Sequence, residues 1–134
     1  MEEQKEISKD AFTDFTEVVR KLRAKCPWDS TQTHESLKPC LVNETQEVLE
    51  AIDILADTGD GENLCEELGD VLLSVVLHSI IAEEEGLFTL DDVIRGAAAK
   101  MRGRHPKIFD PQDEEACSLS WEELKKREKS KKGG

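Results

Sequence analysis

LCEELGDVLLSVVLHSII, from Leu64 to Ile81, is the stretch that decides the fold. At about 100° per residue, its apolar side chains cover most of the circumference of one helix, which predicts a helix that is buried on most sides. One polar strip interrupts this surface and consists of Glu67, Asp70, Ser74 and His78. Because a buried carboxylate pair is costly unless it is paired or bound to a cation, the strip predicts more than a hydrophobic core.

The composition of the whole chain favours one all-α domain. The 134 residues include no Tyr, four Phe and two Trp, and apolar residues recur at helical spacing. We therefore predict a four-helix-bundle-like core of antiparallel helices, followed by a short C-terminal helix. The long helices carry more apolar surface than one four-helix layer covers, so we expect dimerisation to complete the core. A single domain is expected over residues 1–128, with residues 129–134, KSKKGG, as a disordered basic tail.

Charge and cysteine usage exclude several classes of protein. The formal net charge of −12 argues against binding to a nucleic-acid polymer, because such affinity comes largely from Lys and Arg. The four cysteines lack the CxxC spacing of a thiolate metal site and the density of a disulfide scaffold. The amino terminus, MEEQKEISKD, is charged, and no apolar run reaches the roughly 18 residues that a membrane span needs. A soluble, cytoplasmic protein without membrane contact is expected.

Capping and breaking residues predict where the other helices begin and end. A first helix capped by Ser8 or Asp10 should end near Cys26, and the loop CPWDSTQT should follow it. A second helix should run from the 33–39 region to about 56, and the third should end near 85, before Gly86. A fourth helix is expected from Thr89 to about 102. An irregular segment over 107–119 and a last helix from Ser120 should follow.

A second pair of acids is expected to face the first. Glu44 and Glu47 stand three residues apart on the second helix, so an antiparallel helix pair can bring them opposite Glu67 and Asp70. Four such carboxylates repel one another unless cations hold them together. Oxygen ligands without His or Cys favour Mg²⁺, with Mn²⁺ as a substitute. The alternative is that acids three apart are ordinary solvated helix charges.

Several further motifs follow one another along the chain together with these acids. They are Cys26-Pro27-Trp28-Asp29 with Gln32-Thr33-His34, Glu44-x-x-Glu47, Glu66-Glu67-Leu68-Gly69-Asp70, Arg104-His105-Pro106, and Trp121 with Lys125, Glu128 and Lys129. Their order and spacing, over about Leu22 to Lys129, resemble one known family, the all-α nucleoside triphosphate pyrophosphohydrolases of the MazG type.

The resemblance implies roles for individual residues. It makes Glu44, Glu47, Glu67 and Asp70 the Mg²⁺ ligands. These four acids form the predicted catalytic set together with Lys100 and Arg104. The resemblance also implies that Lys100 and Arg104 contact the triphosphate and that Trp121 lies at the nucleotide. The chemistry is compatible, since two cations one helical turn apart can share a polyphosphate and an indole can stack on a base. Without the resemblance, Lys100 and Arg104 read as surface charges favoured at a helix C-terminus, and Trp121 as a packing residue.

Two positions complete the predicted substrate site, and one of them departs from the family pattern. Asn43 stands where the family motif usually has a first Glu. An amide keeps a carbonyl oxygen but cannot act as a general base, so activation of water is expected to differ. Trp28 is interpreted mainly as a packing anchor, with a wall of the base pocket as the alternative. His78 is expected to be a hydrogen-bonded second-layer or core residue rather than a metal ligand.

The resemblance implies an enzyme that splits a nucleoside triphosphate, Mg²⁺-dependently, into the monophosphate and pyrophosphate, and it implies a homodimer. Two alternatives remain open. A noncatalytic helical module that binds a nucleotide or a partner is the first, because Asn43 weakens the site. A diiron protein of the ferritin-like kind is the second, although neither Glu47 nor Glu67 is followed by His three residues later.

Overall fold

A computed structural model describes residues 10–133 of the chain. Helices dominate these residues, which contain no strand, so the all-α prediction is confirmed. The α-helices are α1 (Ala11–Lys25), α2 (Lys38–Thr58), α3 (Glu62–Glu84), α4 (Leu90–Arg104), α5 (Pro106–Phe109), α6 (Glu114–Cys117) and α7 (Trp121–Gly133), with a 3-10 turn at Asp29–Thr31. The chain forms two compact units divided between Leu90 and Asp91. A single domain over residues 1–128 stays a prediction.

The first unit is organised around α3, against which both α1 and α2 pack. Its core lies at the C-terminal half of α3, where burial of branched apolar side chains is the main stabilising contribution. The buried residues of this core are Val19, Leu37, Val76, Leu77, Ile80, Ile81 and Leu90.

The helix ends of the first unit follow from local chemistry. The Asp10 carboxylate caps α1 by accepting a 2.8 Å hydrogen bond from the amide of Thr13. Gly59 ends α2 and Gly86 follows the end of α3 with positive φ angles of 77° and 72°, a conformation that L side chains rarely adopt. These ends lie within two residues of the predicted positions. Ser8, the alternative cap of α1, lies outside the described residues.

The prediction that Leu64–Ile81 is buried on most sides is wrong for its first half. Leu68 and Leu72 expose 51% and 41% of their surface, whereas the buried residues of α3 begin at Ser74. The reason is that α1 packs only along part of α3 and α2 covers one side of it, so a continuous apolar sequence does not guarantee that a neighbour covers every face. The N-terminal half of α3 therefore presents apolar side chains to solvent.

Two arginines of α1 hold the C-terminal end of α3. Arg20 makes a bidentate pair with Glu83 at 2.9 and 3.1 Å, and Arg23 makes another with Glu84 at 2.9 and 3.0 Å. Arg23 also donates to the carbonyls of Asp29 and Gln32 at 2.7 and 2.8 Å. The arginine fork thus ties the CPWD loop to the same end of α3.

The second unit consists of short helices around a small core that includes Pro106, Ala116 and Leu124. Its segment 107–119 was expected to be irregular and instead contains most of α5 and all of α6. Pro106 fits the first turn of α5, and the Asp113 carboxylate caps α6 by accepting from the amide of Ala116 at 3.0 Å. Helices of four residues carry too little periodicity to be recognised in sequence.

The last helix begins as predicted. The Ser120 amide donates to Glu123 at 2.9 Å, and the Glu123 amide donates to the Ser120 hydroxyl at 3.2 Å, which is a capping box. Disorder was predicted for residues 129–134, whereas α7 continues through Gly133 and Gly134 lies outside the described residues. None of the described helices is both long and apolar enough to cross a membrane.

Candidate functional site

Three of the four predicted metal ligands converge between α2 and α3. Ligand oxygens of Glu47, Glu67 and Asp70 all lie within 4.8 Å of one another, and all three residues are half-buried. Glu67 and Asp70 stand one turn apart on α3, and Glu47 reaches them from the facing helix α2. The helix pair therefore gathers three carboxylates at one point.

The charge of this cluster is not balanced by the protein alone. The pKa of Glu67 is raised to about 7, chiefly by a proton shared with the Glu47 carboxyl, then by burial and by the negative charges of Glu47, Asp70 and Glu66. Oε2 of Glu67 is buried and has no hydrogen-bond partner among the described residues. A buried carboxylate oxygen of this kind requires a proton or a cation.

Asn43 contacts the cluster directly. Its Nδ2 donates a hydrogen bond of 3.0 Å to Oε1 of Glu47, one helical turn further along α2. An amide at this position therefore supplies a hydrogen-bond donor to the Glu47 carboxylate, where a Glu would supply another negative charge.

Glu44, the fourth predicted ligand, is held differently. Its Oε2 accepts a 2.6 Å hydrogen bond from the hydroxyl of Ser74 on α3, and it is not among the three carboxylates that converge. Sequence spacing predicted that Glu44 lies on the face of α2 toward α3. Which group its carboxylate contacts depends on the side-chain rotamer, and sequence spacing does not determine the rotamer.

His78, on the same polar strip of α3, pairs with His34 from the segment before α2. The Nδ1 atoms of His78 and His34 are 2.8 Å apart, and Nε2 of His34 is 3.0 Å from Oε1 of Glu85. The expectation that His78 is hydrogen-bonded is confirmed, but the identity of its partner was missed. The two histidines are 44 positions apart in sequence, and no periodic pattern links them.

The predicted phosphate and base contacts lie in the second unit. The Nε of Arg104 donates to Glu128 at 2.7 Å in a pair whose side chains are only 10% and 16% exposed. The guanidinium carbon of Arg104 also lies 5.5 Å from the centre of the Trp121 ring, and the His105 ring meets that indole edge-on at 5.4 Å. Trp121 is thereby held in place while 45% of its surface stays exposed.

Lys100 and Trp28 have different surroundings. Lys100 is half-buried and lines a groove of the second unit together with Gly103, Leu124 and Glu128. The interpretation of Trp28 as a packing anchor is wrong, because its side chain is 54% exposed. Hydrogen bonds to its carbonyl from Thr31 at 2.9 Å and Gln32 at 3.1 Å hold the backbone of this exposed residue.

Comparison with known proteins identifies the family. A family model described as the MazG nucleotide pyrophosphohydrolase domain matches residues 32–109, more than half of the chain and all four predicted metal ligands. The chain belongs to the MazG family. The match also includes Lys100 and Arg104, whereas Trp28 and Trp121 lie outside it.

Individual relatives agree with this assignment of the MazG domain. The uncharacterized protein YabN of Bacillus subtilis is 48% identical over 124 residues, covering 89% of this chain and 24% of that protein. The nucleoside triphosphate pyrophosphohydrolase/pyrophosphatase MazG of Thermotoga maritima is 47% identical, covering 90% and 46%. The nucleoside triphosphate pyrophosphohydrolase of Escherichia coli K12 is 37% identical, covering 80% and 40%. The chain thus spans between 24% and 46% of the length of these relatives.

A solved structure supports the fold of the MazG domain. The crystal structure of a mazG-related protein from Thermotoga maritima superposes with a TM-score of 0.64 at 32% sequence identity. The superposition covers 82% of this chain and 95% of that chain. The resemblance stated from the sequence motifs is therefore confirmed at the level of family and fold.

Proposed function

We propose that this MazG-family protein hydrolyses nucleoside triphosphates to the monophosphate and pyrophosphate in a Mg²⁺-dependent reaction, with Mn²⁺ as a substitute. Two observations carry the proposal: Glu47, Glu67 and Asp70 converge, and a buried oxygen of Glu67 has no hydrogen-bond partner within residues 10–133. Relatives whose names state this activity support it.

The donor set fits a hard divalent cation. It consists of carboxylate oxygens, and Mg²⁺ prefers such oxygens and keeps positions for water and phosphate. Glu47, Glu67 and Asp70 would hold the ion, and Glu44 would complete the set through Oε1, since the bond from Ser74 engages Oε2. When bound, the cation would neutralise phosphate charge and polarise water.

The chain's own side chains would position the substrate. Asn43 orients Glu47 through its amide and offers Oδ1 as an acceptor. Lys100 and Arg104, one turn apart on α4, would bind phosphate oxygens, and the fixed indole of Trp121 would stack on the base. Catalysis would rest on positioning and charge neutralisation.

Pyrophosphate release from a panel of ribo- and deoxyribonucleoside triphosphates, with Mg²⁺, with Mn²⁺ and with EDTA, tests the proposal. We expect turnover only with metal, and an approximately 100-fold or greater loss in Glu67→Gln, because a lost ligand removes several kcal/mol of charge stabilisation. Glu50→Gln is the matched control, since Glu50 is an exposed acid on α2. Nucleotide binding without turnover by the wild-type protein would favour the noncatalytic alternative, to which Asn43 points.

We also propose that the protein is a homodimer. Exposed apolar side chains on α2 and α3 are more numerous than a soluble monomer usually leaves uncovered. The residues concerned include Val42, Leu49, Ile52, Leu68, Leu72 and Val75. A second copy packed on these helices would bury them beside the carboxylate cluster.

A further inference from the structure

Three residues outside the carboxylate cluster form one continuous hydrogen-bonded row. Oε1 of Glu85 lies 3.0 Å from Nε2 of His34, and Nδ1 of His34 lies 2.8 Å from Nδ1 of His78. The imidazole rings are nearly parallel, with an angle of 7° and a centroid distance of 5.1 Å. Glu85 directly follows α3, His34 lies in the segment before α2, and His78 lies on α3 two turns before Glu85.

The arrangement of protons along this row is determined by its donors and acceptors. A neutral imidazole has one N–H donor and one acceptor nitrogen, and an ionised carboxylate only accepts. When both rings are neutral, His34 carries its hydrogen on Nε2 to donate to Glu85, which leaves its Nδ1 as an acceptor. His78 must then donate through Nδ1, so its Nε2 keeps a bare lone pair.

The neutral state that this arrangement needs is favoured at His78. Burial lowers the pKa of His78 below its ordinary value, and the neighbouring His34 lowers it further, while the charge of Glu44 opposes this. A His78 with a lowered pKa is neutral at pH 7, as this arrangement requires.

The row ends at Nε2 of His78. Nε2 of His78 is buried and has no hydrogen-bond partner among the described residues. Ser74, one turn earlier on the same helix, donates to Glu44 at 2.6 Å, and Glu44 is the carboxylate whose charge acts on His78. An unprotonated nitrogen and a carboxylate are both acceptors, so the group that can serve both is a molecule with two donors. Water is the smallest such molecule.

We propose that Glu85, His34 and His78 form a relay that fixes the tautomer of His78, so that its Nε2 accepts a hydrogen bond from a water molecule shared with Glu44. His78 is a positioning residue in this scheme, and no covalent bond to it forms or breaks. The link from this water to hydrolysis rests on the proposed function. The tautomers themselves are independent of that function.

Two substitutions at His78 separate the two nitrogens. In His78→Asn the side-chain amide lies near the place of Nδ1 and keeps a donor for His34, but nothing replaces Nε2. In His78→Gln the amide reaches the place of Nε2 and keeps an acceptor there, but the contact to His34 is weakened. We expect His78→Asn to keep the higher melting temperature and to lose about 10- to 100-fold in kcat, with KM little changed, as for other residues that orient a metal site. We expect His78→Gln to melt earlier and retain more of the kcat. If His78 has only a structural role, the variant with the lower melting temperature should also have the lower kcat. That result would overturn the proposal.

A readout without turnover tests the relay in the wild-type protein. Long-range ¹H–¹⁵N NMR distinguishes the two tautomers of each histidine. We expect hydrogen on Nε2 of His34 and on Nδ1 of His78, with the His78 Nε2 resonance shifted as for a hydrogen-bonded lone pair. Hydrogen on Nε2 of His78, or an Nε2 resonance typical of a free lone pair, would overturn the proposal. If the wild-type protein releases no pyrophosphate, the proposed function is contradicted. The NMR result would still test the relay, because it does not depend on turnover.

Discussion

The side-chain amide of Asn43 donates a 3.0 Å hydrogen bond to the carboxylate of Glu47 on the same helix. Replacing it by Asn43→Glu would remove a net hydrogen-bond contribution of about 1 kcal/mol and add a like-charge pair four residues apart, which costs about 0.2–0.5 kcal/mol. We expect the metal-free variant to unfold at lower urea concentration and to gain more stability from Mg²⁺ than the wild-type protein. Urea unfolding in EDTA and in Mg²⁺ measures both. An unchanged midpoint in EDTA would show that the amide contributes nothing to the cluster.

Stability without metal should depend on pH through Glu67. Its pKa is about 7 in the folded protein against an ordinary value of 4.5. Between these values the folded state binds more protons than the unfolded state, so the free energy of unfolding falls as pH rises. The contribution is complete below about pH 4.5 and is lost as the pH passes 7. Urea unfolding in EDTA from pH 5 to pH 8 should show this decline, and Glu67→Gln should flatten it.

Divalent cations should stabilise the folded protein. A ligand at 100 times its dissociation constant adds about 2.7 kcal/mol to the free energy of unfolding. We expect Mg²⁺ and Mn²⁺ to raise the melting temperature, and more strongly at pH 8 than at pH 6, because the cation competes with the proton on Glu67. Asp70→Asn should abolish the shift, whereas Glu50→Gln should keep it. An equal shift in both variants would place the cation elsewhere.

Much of the scaffold could be predicted from local sequence, because several helix ends depend on residues that are close together in the chain. The Asp10 cap, the glycines at 59 and 86, and the Ser120–Glu123 capping box each act within a few residues, so a single sequence displays them. The Glu67–Asp70 pair was detectable because acids are costly in an apolar helix.

The rest depends on contacts between distant positions. The bond from Ser74 to Glu44, the His34–His78 pair and the Arg104–Glu128 pair join residues 30, 44 and 24 positions apart. The exposure of Leu72 depends on which faces α1 and α2 leave uncovered, and periodicity records only that a face is apolar.

Tryptophan fluorescence can test the predicted base site, because the chain has only two Trp residues. Trp28→Phe leaves Trp121 as the reporter, and we expect nucleotide to quench its emission in the presence of Mg²⁺. Trp121→Ala should weaken nucleotide binding by about 1–3 kcal/mol, the usual contribution of base stacking. The titration should be repeated with inorganic triphosphate, which has no base. Equal quenching by triphosphate would contradict stacking on Trp121.

The apolar surface of α3 gives the sharpest test of the homodimer. Leu72 is 41% exposed, and a charge introduced there would have to be buried in a dimer that uses this face. We expect the wild-type protein to elute at twice the monomer mass in size-exclusion chromatography with light scattering, and Leu72→Glu to elute as a monomer with unchanged helical circular dichroism. Ile108→Glu is the matched control, because Ile108 is a 69% exposed apolar residue of the second unit. A wild-type protein that stays monomeric at the highest soluble concentration would exclude the dimer. A dimer unaffected by Leu72→Glu would place its interface on another surface.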